Sequence, residues 1–268
     1  MSIWRRLPGA LVGAAAALAL AFLLLPIAAI FLRVPPAKLL RELSNPVVTD
    51  ALIVSAKTTV VAQLLILVFG TPLAYVVASR RFRGRLFVVT LIELPLVLPP
   101  AVAGLGLLAL FGRYGLLGTS IPFTQTAVTL AVAFVASPLY IRAAIAAFEA
   151  VDPNLVAASR TLGASPTRTF FRVVLPLARG GLAAGEALAF ARGLGEFGAT
   201  IMFAGSLQGV TQTLPLAIYE AFSIDFDTAL ALGALLVVIS ALLLLFLKLV
   251  LSWQPSRQTS SFVSARST

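Results

Sequence analysis

Uncharged runs of about 20 residues recur along the chain between charged residues, the length an α-helix needs to cross a hydrocarbon core about 30 Å thick. Such runs lie between Arg6 and Arg33, Lys57 and Arg80, Glu93 and Arg113, within Tyr114 to Ile141, and from Thr228 to Leu247. A further apolar segment near Gly181 to Phe203 carries Glu186, Arg192 and Glu196. The pattern predicts an all-α polytopic membrane protein of about six helices, near residues 10–32, 51–79, 88–111, 124–148, 181–203 and 227–251. Residues 1–255 then form one transmembrane domain, with a cytoplasmic loop at 149–180 and a disordered tail at 256–268. Pro95, Pro99 and Pro100 each remove an amide donor and are expected to break or kink the start of the third helix. Backbone freed there must be buried in protein or line a wet cavity, and an interfacial turn before an ordinary helix fits equally well.

Composition agrees. Of 268 residues, 60% are hydrophobic and 11% charged, against about 25% charged in soluble domains. No soluble catalytic domain fits beside the apolar spans. The net charge of +10 comes in short arginine clusters between spans, so no continuous basic face is offered to nucleic acid. Cys and His are absent, which excludes disulfides, thiolate or imidazole metal sites and imidazole-dependent triads. No paired carboxylates stand at catalytic spacing within one helix, so the chain is not read as an enzyme. The first apolar run exceeds the roughly 7 to 15 residues of a signal-peptide core and is expected to be a retained helix.

Basic loops face the cytoplasm. Arg5 and Arg6, then Arg80, Arg81, Arg83 and Arg85, then Arg160, Arg168, Arg172 and Arg179 alternate as six crossings require. Glu220, Asp225 and Asp227 fall on the other side, with Arg33, Lys38 and Arg41 a partial exception. Both termini are therefore expected in the cytoplasm, with Trp253 at the interface before the Ser-, Thr- and Arg-rich tail.

The loop from Glu149 to Gly180 has the punctuation of two short helices. Asp152 can cap a helix starting at Pro153, where proline forfeits only an amide that lacks a partner. Gly163 should end it in the left-handed conformation, Ser165 and Pro166 repeat the cap and start, and the second helix should end before Pro176. Ala157, Ala158 and Ser159 permit close approach of another backbone. A helix lying on the membrane, or a helix-turn-helix with Arg160, Arg168 and Arg172 on phosphates, is the alternative.

Gly193-Leu194-Gly195-Glu196-Phe197-Gly198 matches GxGxxG but follows no strand and sits in an apolar span, so it reads as helix and not as a dinucleotide site. Arg192 and Glu196, four residues apart, can pair on one face. Charges at membrane depth face a bundle interior or a water-filled path, which marks this span as pathway-lining, unless the pair only fixes packing. Gly181, Gly185, Gly193, Gly195 and Gly198 would let neighbouring helices approach. In a secondary transporter, the competing class, Glu93, Arg142, Arg192 and Glu196 would serve as relay groups.

Ala157-Ala158-Ser159, then Gly163, Val173 and Leu175-Pro176, resembles the EAA loop of ABC import permeases, with Ala157 where Glu is usual and Ser159 where Ala is usual. Three blocks resemble the molybdate branch: Gly195-Glu196-Phe197-Gly198-Ala199-Thr200 continuing to Thr211-Gln212-Thr213-Leu214-Pro215-Leu216-Ala217-Ile218-Tyr219; Arg81-Phe82-Arg83-Gly84-Arg85; and Leu94-Pro95-Leu96-Val97-Leu98-Pro99-Pro100 with Phe111-Gly112. The similarity covers roughly residues 50 to 250. It implies a type I ABC importer permease bundle in the cytoplasmic membrane, moving molybdate or tungstate by alternating access; a sulfate or thiosulfate permease is the nearest alternative. It assigns Ala157, Ala158, Ser159, Gly163, Val173, Leu175 and Pro176 to coupling, to which the cap at Asp152 and Pro153 adds the helix start, while the charges at membrane depth put Arg192, Gly195, Glu196, Gly198 and Thr200 in the pathway. It also implies a second copy of the chain, two ATPase subunits that use ATP and Mg, an extracytoplasmic oxyanion-binding protein, and no cofactor on this chain.

Overall fold

The computed structural model describes residues 9–80 and 82–252. Arg5, Arg6, Arg81, Trp253 and the tail at 256–268 lie outside the described residues. Within them the chain is helix and connections: α1 (Gly9–Arg33), α2 (Pro36–Glu42), α3 (Pro46–Leu65), α4 (Thr71–Ser79), α5 (Arg85–Val97), α6 (Pro100–Phe111), α7 (Gln125–Glu149), α8 (Pro153–Thr161), α9 (Pro166–Thr169), α10 (Leu175–Leu194), α11 (Gly198–Ala204), α12 (Leu214–Ile224) and α13 (Phe226–Ser252).

Among the described residues, five stretches are long and apolar enough to cross a membrane: Leu11–Arg33, Pro46–Ser79, Gln125–Glu149, Pro166–Leu194 and Phe226–Phe246. The pair α5 and α6, bent by 110°, supplies a sixth if counted as one span. The bend falls at Leu98 and Pro99. Leu98 is extended (φ −64°, ψ 134°), as the ring of a following proline demands, and Pro100 opens α6 where no amide is needed. Pro95 does not break the chain; it lies within α5, near its end.

Two expectations about helix ends are corrected. The second loop helix does not end before Pro176, because α9 runs into α10 through a π-turn at Phe170–Val174. There the Leu175 N–H donates to the Phe170 carbonyl, and Pro176 follows within the first turn of α10. The widened turn leaves fewer amides to satisfy just where proline brings none. The same device stands at Ile66–Gly70, ahead of Pro72 at the start of α4. Nor is the segment at 181–203 one helix: α10 stops at Leu194 and α11 begins at Gly198.

Helix α7 is the central strut. Half of its apolar window is buried, against none of α1's. Its Tyr140, Ala144, Ile145 and Phe148 pack with Ile66 of the π-turn, Val77 of α4 and Ala178, Leu182 and Ala189 of α10. In lipid this contact gains from van der Waals packing rather than expulsion of water, so close approach decides it. A Cβ on Gly181 would lie 2.5 Å from the Ala147 Cβ, and one on Gly185 2.6 Å from the Ala143 Cβ. The Tyr140 hydroxyl, buried with its ring, meets Thr71 Oγ1 at 2.6 Å. A second cluster joins Phe203 and Ala199 of α11 to Val128 and Val132 of α7 and Leu107 of α6.

Candidate functional site

The loop at 149–180 forms a discrete knuckle. Asp152 Oδ1 accepts the Asn154 N–H at 2.8 Å, so the first orphan amides of α8 are met by its cap. At the other end Gly163 takes φ +82°. The Gly163 N–H reaches the Arg160 carbonyl at 3.0 Å and the Ala164 N–H the Ser159 carbonyl at 3.1 Å. This pair of bonds defines a Schellman end, which needs the left-handed residue between them. Ser165 Oγ then accepts the Arg168 N–H at 3.2 Å and starts α9.

Helix α8 is about 13 Å long at 1.5 Å per residue and buries none of its residues. Val156 leans on the core beside Phe148 and Val174. Ala157 and Ala158 are open, as are Leu155 and, just beyond the helix, Leu162 at 88% exposure. Ser159, one of the two departures from the EAA pattern, meets Thr169 Oγ1 at 3.1 Å and ties α8 to α9. The Arg85 guanidinium pairs with Glu149 and its Nε donates to the Val77 carbonyl at 3.1 Å, bracing the end of α7 from which α8 departs. Val173 lies in the π-turn, which neighbours α8, and Leu175 and Pro176 lie in the first turn of α10.

The second constellation surrounds the break between α10 and α11. Arg192 Nη1 lies 2.7 Å from Glu196 Oε2, with 34% of the arginine side chain and 1% of the glutamate side chain exposed. The other carboxylate oxygen accepts the Ala199 N–H at 2.8 Å, so Glu196 caps α11 as well as pairing with Arg192. A carboxylate at a helix N-terminus is favoured by the dipole and by the free amides. That is why the helix stops here: the backbone must leave α10 for Glu196 to reach forward. Thr200, fully buried, has a hydroxyl without a hydrogen-bond partner among the described residues, as do both amide atoms of Gln63 on α3. A Cβ on Gly193 would lie 3.2 Å from Gln63 Nε2. One on Gly198 would lie 2.5 Å from the Pro100 Cβ, so the α10–α11 break abuts the α5–α6 bend. Gly195 is exposed and packs no helix.

Sequence reasoning missed Gln63, whose only signal is a lone amide in an apolar helix, and the capping role of Glu196. It also gave no account of the Thr211-Gln212-Thr213 block, which is buried. The Leu207 N–H donates to Thr211 Oγ1 at 3.0 Å, Gln212 Nε2 donates to Glu220, and the Leu214 N–H donates to Ser55 Oγ at 2.8 Å.

Residues 70–258 match the family described as binding-protein-dependent transport system inner membrane component. The molybdenum transport system permease protein ModB of Mycobacterium tuberculosis is 44% identical over 233 residues, 84% of this chain and 88% of that one. A probable molybdenum ABC transporter permease protein of Haloferax volcanii is 41% identical over 238 residues, 87% of this chain and 86% of its own. Among solved structures, a chain of the inward-facing MetNI methionine ABC transporter superposes with a TM-score of 0.63 at 20% identity, over 77% of this chain and 95% of that one. The bundle is thus a type I ABC importer permease fold with several membrane-crossing helices. The chain belongs to the binding-protein-dependent transport system inner membrane component family, and within it to the molybdenum transport permeases.

Proposed function

We propose that this chain is the membrane path of an ATP-driven importer for molybdate, with tungstate as a second cargo. Two copies enclose the path, two ATPase subunits that bind ATP and Mg seat against the two α8 knuckles, and an external binding protein delivers the anion. Both termini face the cytoplasm. The observation that carries the reading is α8: a short helix fixed at both ends by its own caps, buried nowhere, and presenting small and apolar residues outward. Such an element moves as a body and suits a groove on a motor subunit.

The continuous helix Pro166–Leu194, 29 residues or about 43 Å at 1.5 Å per residue, supports a route for the motion. It starts next to α8, to which Ser159 and Thr169 tie it, and ends at the α10–α11 break. When ATP closes the motor pair, the two knuckles are drawn together and each helix tilts, turning the path from inward-open to outward-open. Arg192, Gly195, Glu196, Gly198 and Thr200 at the break form the part of the path that responds. Arg192 keeps a third of its side chain open and offers guanidinium donors to a passing oxyanion. No bond is made or broken by this chain.

Uptake by the complex in proteoliposomes tests the reading. Molybdate should accumulate with ATP inside the motor compartment and stop when ATP is removed while an ion gradient persists. Uptake that follows the gradient without ATP contradicts it. Titrating the binding protein with molybdate, tungstate and sulfate decides the cargo.

A further inference from the structure

Two ion pairs join α5 to α7. Arg85 meets Glu149 where α5 begins and α7 ends, and deeper in the bundle Arg142 Nε lies 3.1 Å from Glu93 Oε1. Glu93 stands about 12 Å along α5 from Arg85, and Arg142 about 10 Å along α7 from Glu149, at 1.5 Å per residue. In a hydrocarbon core about 30 Å thick both lie at membrane depth. Yet 58% of the Arg142 side chain and 35% of the Glu93 side chain are exposed.

An ionised group open at that depth does not face lipid; it faces water or another protein surface. The rest of its face points the same way. In the cytoplasmic half of α7 the exposed positions Arg142, Ala146 and Glu149 fall at helical spacing on one side, while Ile141, Ala144, Ile145 and Phe148 are buried. These open positions are charged or small. Helix α1, by contrast, exposes no charged residue from Leu11 to Leu32; its open positions are small or apolar, such as Leu20, Phe22, Leu25 and Ile27. The α7 stripe, with Glu93 of α5 beside it, therefore carries charge where a lipid-facing surface carries none, while Leu86, Phe87, Leu91, Leu94 and Val97 give the rest of α5 an apolar outer face.

We propose that this stripe lines the cytoplasmic half of the anion path, with Arg142 as a binding station for a tetrahedral dianionic oxyanion and Glu93 as its resident counter-ion. The inference rests on the reading of the chain as an oxyanion permease and adds a site to it. The contact with Glu93 uses Nε, leaving the two terminal guanidinium nitrogens to donate to the anion. Glu93 holds the arginine in place between passages. Its charge also repels the anion, which keeps the stay short, as a conducting site requires.

The chain has no cysteine, so a single introduced thiol is specific. In the full complex, Ala146→Cys should react from the cytoplasmic side with a membrane-impermeant anionic methanethiosulfonate. Sodium molybdate should slow that reaction several-fold, and adding Arg142→Gln should abolish the protection. Reaction with a lipid-soluble maleimide alone, no reaction with either, or protection that survives Arg142→Gln overturns the proposal. In transport, Arg142→Gln should raise the ATP hydrolysed per molybdate imported about tenfold, the loss of one charge-assisted contact. Glu93→Gln/Arg142→Gln should not recover; recovery to the unsubstituted ratio would make the pair a packing device and overturn the station. If the unsubstituted complex imports no molybdate with ATP, the functional reading itself fails; if it does and Arg142→Gln imports at the same ATP ratio, only this inference fails.

Discussion

Removing the Arg192 charge should cost more than removing both members of the Arg192–Glu196 pair. Glu196 is 1% exposed in its side chain and holds Arg192 at 2.7 Å and the Ala199 amide at 2.8 Å. Leaving one charge of a buried pair uncompensated costs about 3–5 kcal/mol. Arg192 is a third open to its surroundings, so part of the pair is already solvated and Arg192→Gln should lie near the lower end, about 2–3 kcal/mol. Glu196→Gln keeps an oxygen for the α11 cap and leaves the more exposed partner unpaired, for about 1–2 kcal/mol. The double substitution removes both charges, keeps the cap acceptor and should cost about 1 kcal/mol, giving a non-additive term of at least about 2 kcal/mol. At about 2–4 °C per kcal/mol, thermal unfolding in nanodiscs should separate Arg192→Gln from the double variant by several degrees. Single costs that simply add would refute the pair as a unit and with it the explanation of why the helix stops at Leu194.

Gly163→Val should raise the ATP hydrolysed per molybdate imported. Nothing lies within 4 Å of a Cβ there, so the damage is the left-handed backbone at φ +82°, about 1–2 kcal/mol, and Gly163→Asn should largely restore coupling. Gly185→Leu should lower the unfolding temperature, since its Cβ would meet Ala143 Cβ at 2.6 Å and the Tyr140 carbonyl at 3.3 Å, an overpacking of about 1–3 kcal/mol; Gly13→Leu, with open space around it, should not. Outside the membrane, Asp225 accepts from the Thr228 hydroxyl and from the amides of Asp227 and Thr228, with Lys38 at 3.5 Å, and its carboxyl is held below its ordinary 3.8. A lowered carboxyl contributes stability above the unfolded value and loses it as pH falls through the folded one. Unfolding followed from about pH 6 down to about pH 3 should therefore show an acid-side loss that Asp225→Asn removes.

How far the chain could be read depended on whether local chemistry decides the local shape. The caps at Asp152 and Ser165 and the turn at Gly163 obey short-range rules, and the structure has them as those rules require. Helices α7 and α13 begin and end near the limits of their apolar runs because the runs are uniform and flanked by polar residues. Pro176 failed as a stop signal because a π-turn, invisible in the hydrophobic period, absorbs it. The Gly195–Phe197 break was hidden because its cause is tertiary: a glutamate that reads as an i, i+4 partner also reaches forward to cap the next helix. Pro95, Pro99 and Pro100 looked alike, and only the last two mark the bend. Gln63 was passed over since an unpartnered buried amide becomes visible only when its neighbours are placed.

Seating of α8 on a motor subunit is the claim the mechanism stands on. A lone thiol at Ala158 or Leu162 in this cysteine-free chain, treated with a short bifunctional crosslinker in membranes holding the whole importer, reads it directly. The account predicts an adduct with the ATPase whose yield changes when ATP binds. No adduct from either position, together with molybdate uptake by the chain alone, would contradict it.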